Sequence, residues 1–178
     1  SVENFKVFMK AVQEVSPVPV RFDEISSGAK GYYSNTEKEI VIQNGMSESQ
    51  TMKTGIHEVT HAMLHDRDFM EEQGEKKNQM TKEVEAESVA YTVCQYFGLD
   101  TSDYSFPYIA GWSSSMDMKE LRTSMDTIRK TAGSFIDSMT EVIQRLMREQ
   151  PELSLSAMKQ AEILIDRVEQ ERTPVSYT

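Results

Sequence analysis

All three histidines of the chain fall within one stretch of nine residues, His57-Glu58-Val59-Thr60-His61-Ala62-Met63-Leu64-His65. The first five read H-E-x-x-H. On a helix, side chains four apart lie on one face, one turn above each other. His57 and His61 can therefore aim two imidazole nitrogens at one zinc ion. Glu58 falls beside that point, where a carboxylate can act as general base toward an attacking water. So short a motif also arises by accident, so its surroundings must decide.

Two histidines leave a catalytic zinc one protein ligand short. His65 continues the four-residue spacing, but it lies two turns from His57 and cannot easily close a tetrahedron with both others. It reads as a surface histidine or one that supports a ligand. The longer pattern H-E-x-x-H-x-x-G-x-x-H fails, because Leu64 and Arg67 stand at its glycine and last histidine positions. Cys94, the single cysteine, reads as a buried structural residue. Carboxylates remain. In Glu83-Val84-Glu85-Ala86-Glu87, Glu83 and Glu87 share a helix face that also carries or borders Ala86, Ala90 and Cys94. Glu85 points away and reads as solvated. Carboxylates on a packed face are costly unless compensated, and zinc would compensate them. Glu83 is then the third ligand, and Glu87 accepts the ring N–H of a ligating histidine. The two could exchange roles, and an acidic first turn favoured by the helix dipole is the plainer alternative.

These side chains need two helices to carry them. Ser47-Glu48-Ser49-Gln50 matches a capping box, and the helix it opens runs through H-E-x-x-H to about residue 66. A polar loop, 71–79, leads to a second helix over 81–97, stopped at Gly98. Upstream, apolar residues at helical spacing predict a helix over 2–15, ended by Pro17 and Pro19. Short β-like stretches over 18–25, 29–34 and 39–43, separated by Ser26-Ser27-Gly28 and Asn35-Thr36, predict an antiparallel meander. Downstream comes a loop with the single tryptophan, Trp112, read as a core residue or a pocket wall. A long helix over 116–148 follows, with an apolar stripe through Leu121, Met125, Ile128, Ala132, Phe135, Ile136, Met139, Val142, Ile143 and Leu146. The stripe suits a core, although its methionines would also suit an adaptable partner surface. Pro151 breaks it, and a last helix is expected over 155–169 before a frayed tail.

The 178 residues suffice for one domain with a proper core. The expected fold class is α+β, mostly helical, with a small three-stranded antiparallel sheet. Residues 1–115 form the core, and 116–178 form a helical extension packed on it as part of one structural domain. A net charge of -10 argues against direct nucleic-acid binding, which needs a basic face. No apolar run is long enough for a membrane span. One cysteine precludes an internal disulfide and suggests the cytoplasm. A start at Ser1 rather than Met suggests a domain from a longer protein.

Residues 54–65, Thr54-Gly55-Ile56-His57-Glu58-Val59-Thr60-His61-Ala62-Met63-Leu64-His65, followed by Glu83-Val84-Glu85-Ala86-Glu87-Ser88-Val89-Ala90-Tyr91, resemble the zincin-like metallopeptidase domains of the ImmA/IrrE type, which cut transcriptional regulators in bacteria. The stretch from Leu99 through Phe106-Pro107-Tyr108-Ile109-Ala110-Gly111-Trp112 resembles the branch of ArdC-type antirestriction and LtrC-like proteins of plasmids and conjugative elements. The resemblance spans roughly residues 31–112. It implies zinc at His57, His61 and Glu83, with Glu58 as general base. It implies a peptide or protein substrate and a small sheet packed on the metal-bearing helices. In that branch a single-stranded-DNA-binding domain commonly precedes the zincin domain. In zincins an edge strand can hold an extended substrate by backbone pairing, and 39–43 is the candidate. Tyr32 or Tyr108 could stabilise the oxyanion. Three readings therefore compete: a zinc metallopeptidase, a non-proteolytic antirestriction or protein-binding module that keeps the zinc fold and whose acidity could mimic DNA, and a hydrolase of something other than a peptide.

Overall fold

A computed structural model describes residues 4–102, 104, 106, 109–150, 165–167 and 169–170. In chain order the elements are α1 (Phe5–Val15), β1 (Val20–Asp23), β2 (Gly31–Ser34), β3 (Glu39–Gln43), α2 (Glu48–Leu64), α3 (Arg67–Glu72), α4 (Gln79–Tyr96), α5 (Ile109–Ser115) and α6 (Met118–Glu149). The α+β class expected from the sequence is what the chain adopts. Most of the expected helix over 155–169 lies outside the described residues, as do Val2 and Tyr108. Among the described residues, no helix is long and apolar enough to cross a membrane.

The sheet is mixed rather than an antiparallel meander. Its order is β1-β3-β2, with β1 parallel and β2 antiparallel to β3. The physical reason lies in β3, where Ile40, Val41 and Ile42 are all buried. A continuous apolar run suits a strand covered on both faces, and the centre of the sheet is the place for one. The mostly exposed Val20–Asp23 is left as an edge.

Helix α2 is the axis of the molecule. It packs against α1, α4, β2 and β3. Ile56 and Val59 are fully buried within it, and each contributes roughly 1.5–3 kcal/mol through removal from water. The Ser47 hydroxyl accepts from Gln50 N at 3.1 Å, as the capping motif predicts. The return half of the box is missing, because the Gln50 Oε1 that would accept it takes Lys30 Nζ instead, at 3.2 Å. The helix also ends earlier than expected. His65 closes it, and Asp66 caps the short helix α3 by accepting from Phe69 N at 3.1 Å.

Helix α4 packs on both α2 and α6, and its Ala86, Val89, Ala90, Val93 and Cys94 are all buried. The alanines let the axes approach closely. Gly98 stops α4 in the left-handed region at φ 74°, with Leu99 N bonded to Cys94 O at 2.9 Å. Helix α6 opens with a full capping box between Asp117 and Glu120 and packs on α4 and α1. Its Ala132, Phe135 and Met139 join the same core as Ile40, Ile42, Ile56 and Val93. Not all of its predicted stripe is buried, since Met125 is 59% exposed. Trp112 sits on a helix, α5, where the sequence predicts a loop. It is buried, and its ring N–H donates to Thr81 Oγ1 at 3.0 Å.

The β2–β3 hairpin is fastened over the C-terminal end of α2. Asp66 accepts from Lys38 Nζ at 2.6 Å and from the Tyr33 hydroxyl, and Arg67 N donates to Asn35 Oδ1 at 2.8 Å. Burial opposes ionisation of Asp66, but the Lys38 and Tyr33 bonds and the Phe69 amide outweigh it and hold the acid down at about 2. A carboxyl depressed in the folded state stabilises the fold above its unfolded value near 4. That stability is lost as pH falls through about 2. We expect Asp66→Asn to cost about 2 kcal/mol at pH 7. The gap from the parent should close between pH 4 and pH 2 in urea unfolding followed by circular dichroism. A gap that stays constant over that range would remove the ion pair from the account.

Candidate metal centre

Two helices deliver the site. His57 and His61 leave α2 one turn apart, and Glu83 and Glu87 leave α4 one turn apart. His57 Nε2 and His61 Nε2 converge to 3.1 Å. Glu83 faces both, with Oε2 at 3.3 Å from His57 Nε2 and Oε1 at 3.2 Å from His61 Nε2. One donor atom from each of His57, His61 and Glu83 lies within 4.8 Å of the others, a spacing that could hold a metal ion. Two imidazole nitrogens and a carboxylate oxygen are a donor set of catalytic zinc sites. Glu87 takes the other side of His57, with Oε2 at 2.9 Å from Nδ1. Of the two glutamates the sequence left interchangeable, it is Glu83 that the structure brings to both Nε2 atoms.

The electrostatics are those of imidazoles and carboxylates facing one another. Burial disfavours a charged His57 ring, but the Glu83 and Glu87 carboxylates outweigh it and raise His57 to about 10. Hydrogen bonds from His57 and His61 hold Glu83 well below the usual carboxylate range. The two carboxylates facing His57 thereby favour its protonated form.

Glu58 is buried and lines the same space. Burial pushes its carboxyl up, against the pull of His57 and His61. The Tyr33 amide of β2 hydrogen-bonds to it. That amide is available because β2 is an edge strand. Lys30 O and Ser34 O turn toward β3, accepting from Gln43 N and Lys38 N. By the alternation of an antiparallel ladder, Gly31 and Tyr33 then turn their backbone groups the other way. The strand proposed from the sequence for substrate pairing, Glu39–Gln43, is the central one and has a neighbour on each side. The edge beside Glu58 is β2. It passes so close to α2 that a Cβ on Gly31 would lie 2.6 Å from Thr54 Cγ2 and 3.1 Å from Val41 O, which demands glycine there.

Two clefts meet at this edge, and His57, Glu58 and Gly31 line both. One, of about 320 Å³, is bordered by Lys30, Gln50, Lys53 and Tyr104. The other, of about 410 Å³, is bordered by Tyr32, Asn35, Gln79 and Lys82. Tyr32 thus borders the second cleft, whereas Tyr108 is outside the described residues.

One sequence reading is corrected beside the site: Glu85, expected in solvent, is completely buried. Of the two readings of His65, a surface residue or a support to a ligand, burial removes the first. Glu85 Oε2 lies 2.9 Å from Lys77 Nζ and 3.4 Å from His65 Nε2, and Oε1 accepts from Ser124 Oγ at 3.1 Å. Burial opposes ionisation of Glu85, but His65 and Lys77 win and hold it low. Burial in turn pushes His65 below its ordinary value. The compensating partners come from the loop before α4 and from α6, so no local pattern announces them. The four-residue spacing of His65 was the one available signal.

No family model matches the chain, and no solved structure matches it. An uncharacterized protein of Bacillus anthracis, pXO2-81, is 36% identical over 112 residues. The match covers 62% of this chain and 18% of that protein, so the chain spans less than a fifth of its relative's length.

Metal analysis tests the donor set. We expect about one metal ion per chain, lost in His57→Ala and in Glu83→Ala. Glu87→Ala should keep the ion with roughly 10–100-fold weaker affinity, as removal of a ligand's supporting partner does. Retention by Glu83→Ala and loss by Glu87→Ala would exchange their roles. Loading near pH 7 should release about one proton, because the metal displaces the one on His57. Affinity should therefore fall as the solution is made more acidic. Calorimetry in two buffers of different ionisation enthalpy reads that proton, and identical heats would show that His57 carried none.

Proposed function

We propose that the chain is a zinc-dependent metallopeptidase domain of the ImmA/IrrE type, in the branch of ArdC-type and LtrC-like proteins of mobile elements. The observation that carries this reading is the convergence of His57, His61 and Glu83 beside the buried carboxylate of Glu58. The likeness to part of pXO2-81 is compatible with a domain that works within a longer protein. Such a domain would act in the cytoplasm.

The division of labour follows from the positions of the side chains. His57, His61 and Glu83 would hold the ion, which supplies Lewis acidity, drawing the pKa of a water toward 7 and polarising the substrate carbonyl. Glu58, raised by burial and steered by the Tyr33 amide, would accept a proton on its carboxylate and return it to the leaving amine. The outward backbone groups of Gly31 and the outward carbonyl of Tyr33 would offer an extended peptide a strand to pair with, the Tyr33 N–H being engaged by Glu58. Tyr32, in the wall of the larger cleft, would be the donor to the oxyanion.

The test separates chemistry from scaffold. Zinc-loaded parent and Glu58→Gln proteins would be incubated with a proteome-derived peptide library, and new termini read by mass spectrometry. We expect cleavage by the parent and a loss of about 10²–10⁴-fold in Glu58→Gln, with zinc content unchanged. If neither protein cuts any peptide while both hold zinc, the chain is a binding module, the antirestriction role included.

A further inference from the structure

We infer that His65, held by the buried carboxylate of Glu85, is a positioning residue that fixes the ring of His61 as a metal ligand. The inference rests on the metal centre proposed above but not on its hydrolytic chemistry.

His61 Nδ1 and His65 Nδ1 lie 2.8 Å apart. Two ring nitrogens at that distance must share one proton, because two N–H groups or two lone pairs would repel. The direction of sharing is set from the far side of His65. An ionised carboxylate offers only acceptors, so the Nε2 of His65, facing Glu85 Oε2 at 3.4 Å, carries an N–H. Glu85 already has a cation, since Lys77 Nζ is 2.9 Å from the same oxygen. Its other oxygen is satisfied by the Ser124 hydroxyl. Glu85 and Lys77 therefore balance in charge with a neutral His65 between carboxylate and metal site. A second cation in so buried a place would go uncompensated.

A neutral imidazole has one N–H, and His65 has spent it on Glu85. Its Nδ1 is then a lone pair that accepts from His61 Nδ1–H. His61 is left with its lone pair on Nε2, the atom that faces Glu83 and His57 Nε2. Glu87 performs the same service for His57 directly, at 2.9 Å from its Nδ1. On the His61 side the carboxylate stands one ring further away, and His65 bridges the gap. A fully buried acid, two histidines in register and donors from two other elements make up this relay. It reaches from α6 and the loop before α4 to the metal-facing nitrogen.

The experiment uses the full chain and zinc alone. Long-range proton–nitrogen correlation spectra of histidine-labelled parent protein, zinc-loaded near pH 7, should show His61 protonated at Nδ1 and His65 at Nε2. His65 protonated on both nitrogens, or on Nδ1 alone, would overturn the proposal, and this reading needs no variant to fold. Competition with a chromophoric chelator should show zinc affinity lowered about 10–100-fold in His65→Phe and lowered also in Glu85→Gln. Circular dichroism should be unchanged. Affinity of a folded His65→Phe within twofold of the parent refutes the role of His65 while leaving the metal centre standing. A parent chain that binds no zinc refutes both. Peptide cleavage by the parent, lost in Glu58→Gln, reports on the hydrolase reading independently.

Discussion

Everything in this molecule follows from how closely α2 and α4 pack. A histidine pair on one helix meets a carboxylate pair on the other only if the axes approach near the motif. Ala86 and Ala90 permit that approach, and Val89, Val93 and Ile56 make it favourable. Once the helices are in contact, the four-residue spacing on each produces two facing pairs of groups. The result is a cluster whose acids and bases are perturbed in opposite directions, His57 upward and Glu83 downward. Each shift is the mark the facing groups leave on one another, carboxylates raising the imidazole and imidazoles lowering the carboxylate.

The sheet serves this helix pair. Its buried centre, Ile40-Val41-Ile42, anchors against α2, and its edge, Gly31–Ser34, lies along the motif. The tie between Asp66, Lys38 and Tyr33 keeps that edge from lifting away. The Tyr33 amide that steers Glu58 and the Tyr33 hydroxyl that holds Asp66 belong to one residue. The same strand thus links the fastening of the hairpin to the placement of the proposed base.

Much of this was legible in the residues. His57, Glu58 and His61 declare themselves by spacing, and Glu83 and Glu87 by sharing a face. Ser47 and Gly98 mark helix boundaries through local backbone chemistry that any context preserves. What escaped depended on long-range pairing. Strand order is decided by which strand is covered on both faces, and the apolar triplet at residues 40–42 was a signal for the centre that the turn residues obscured. Glu85 looks solvated in a run of acids, because its partners Lys77 and Ser124 lie on other elements. Met125 falls on the apolar stripe of α6 but stays in solvent, while Ser124 beside it turns inward. A helical wheel drawn for one helix does not show where its neighbour ends.

The contact between Ser124 and Glu85 has a consequence for modularity. The proposed metal ligands all precede residue 90, and a reader of the sequence could take α6 as an appendage. Yet α6 covers the core with Phe135 and Met139 and supplies a donor to the acid behind His65. A fragment ending before α6 would keep every proposed ligand while uncovering apolar surface and a charged carboxylate together. The unit that can be transplanted between proteins is therefore not the motif region but the whole assembly from α1 through α6.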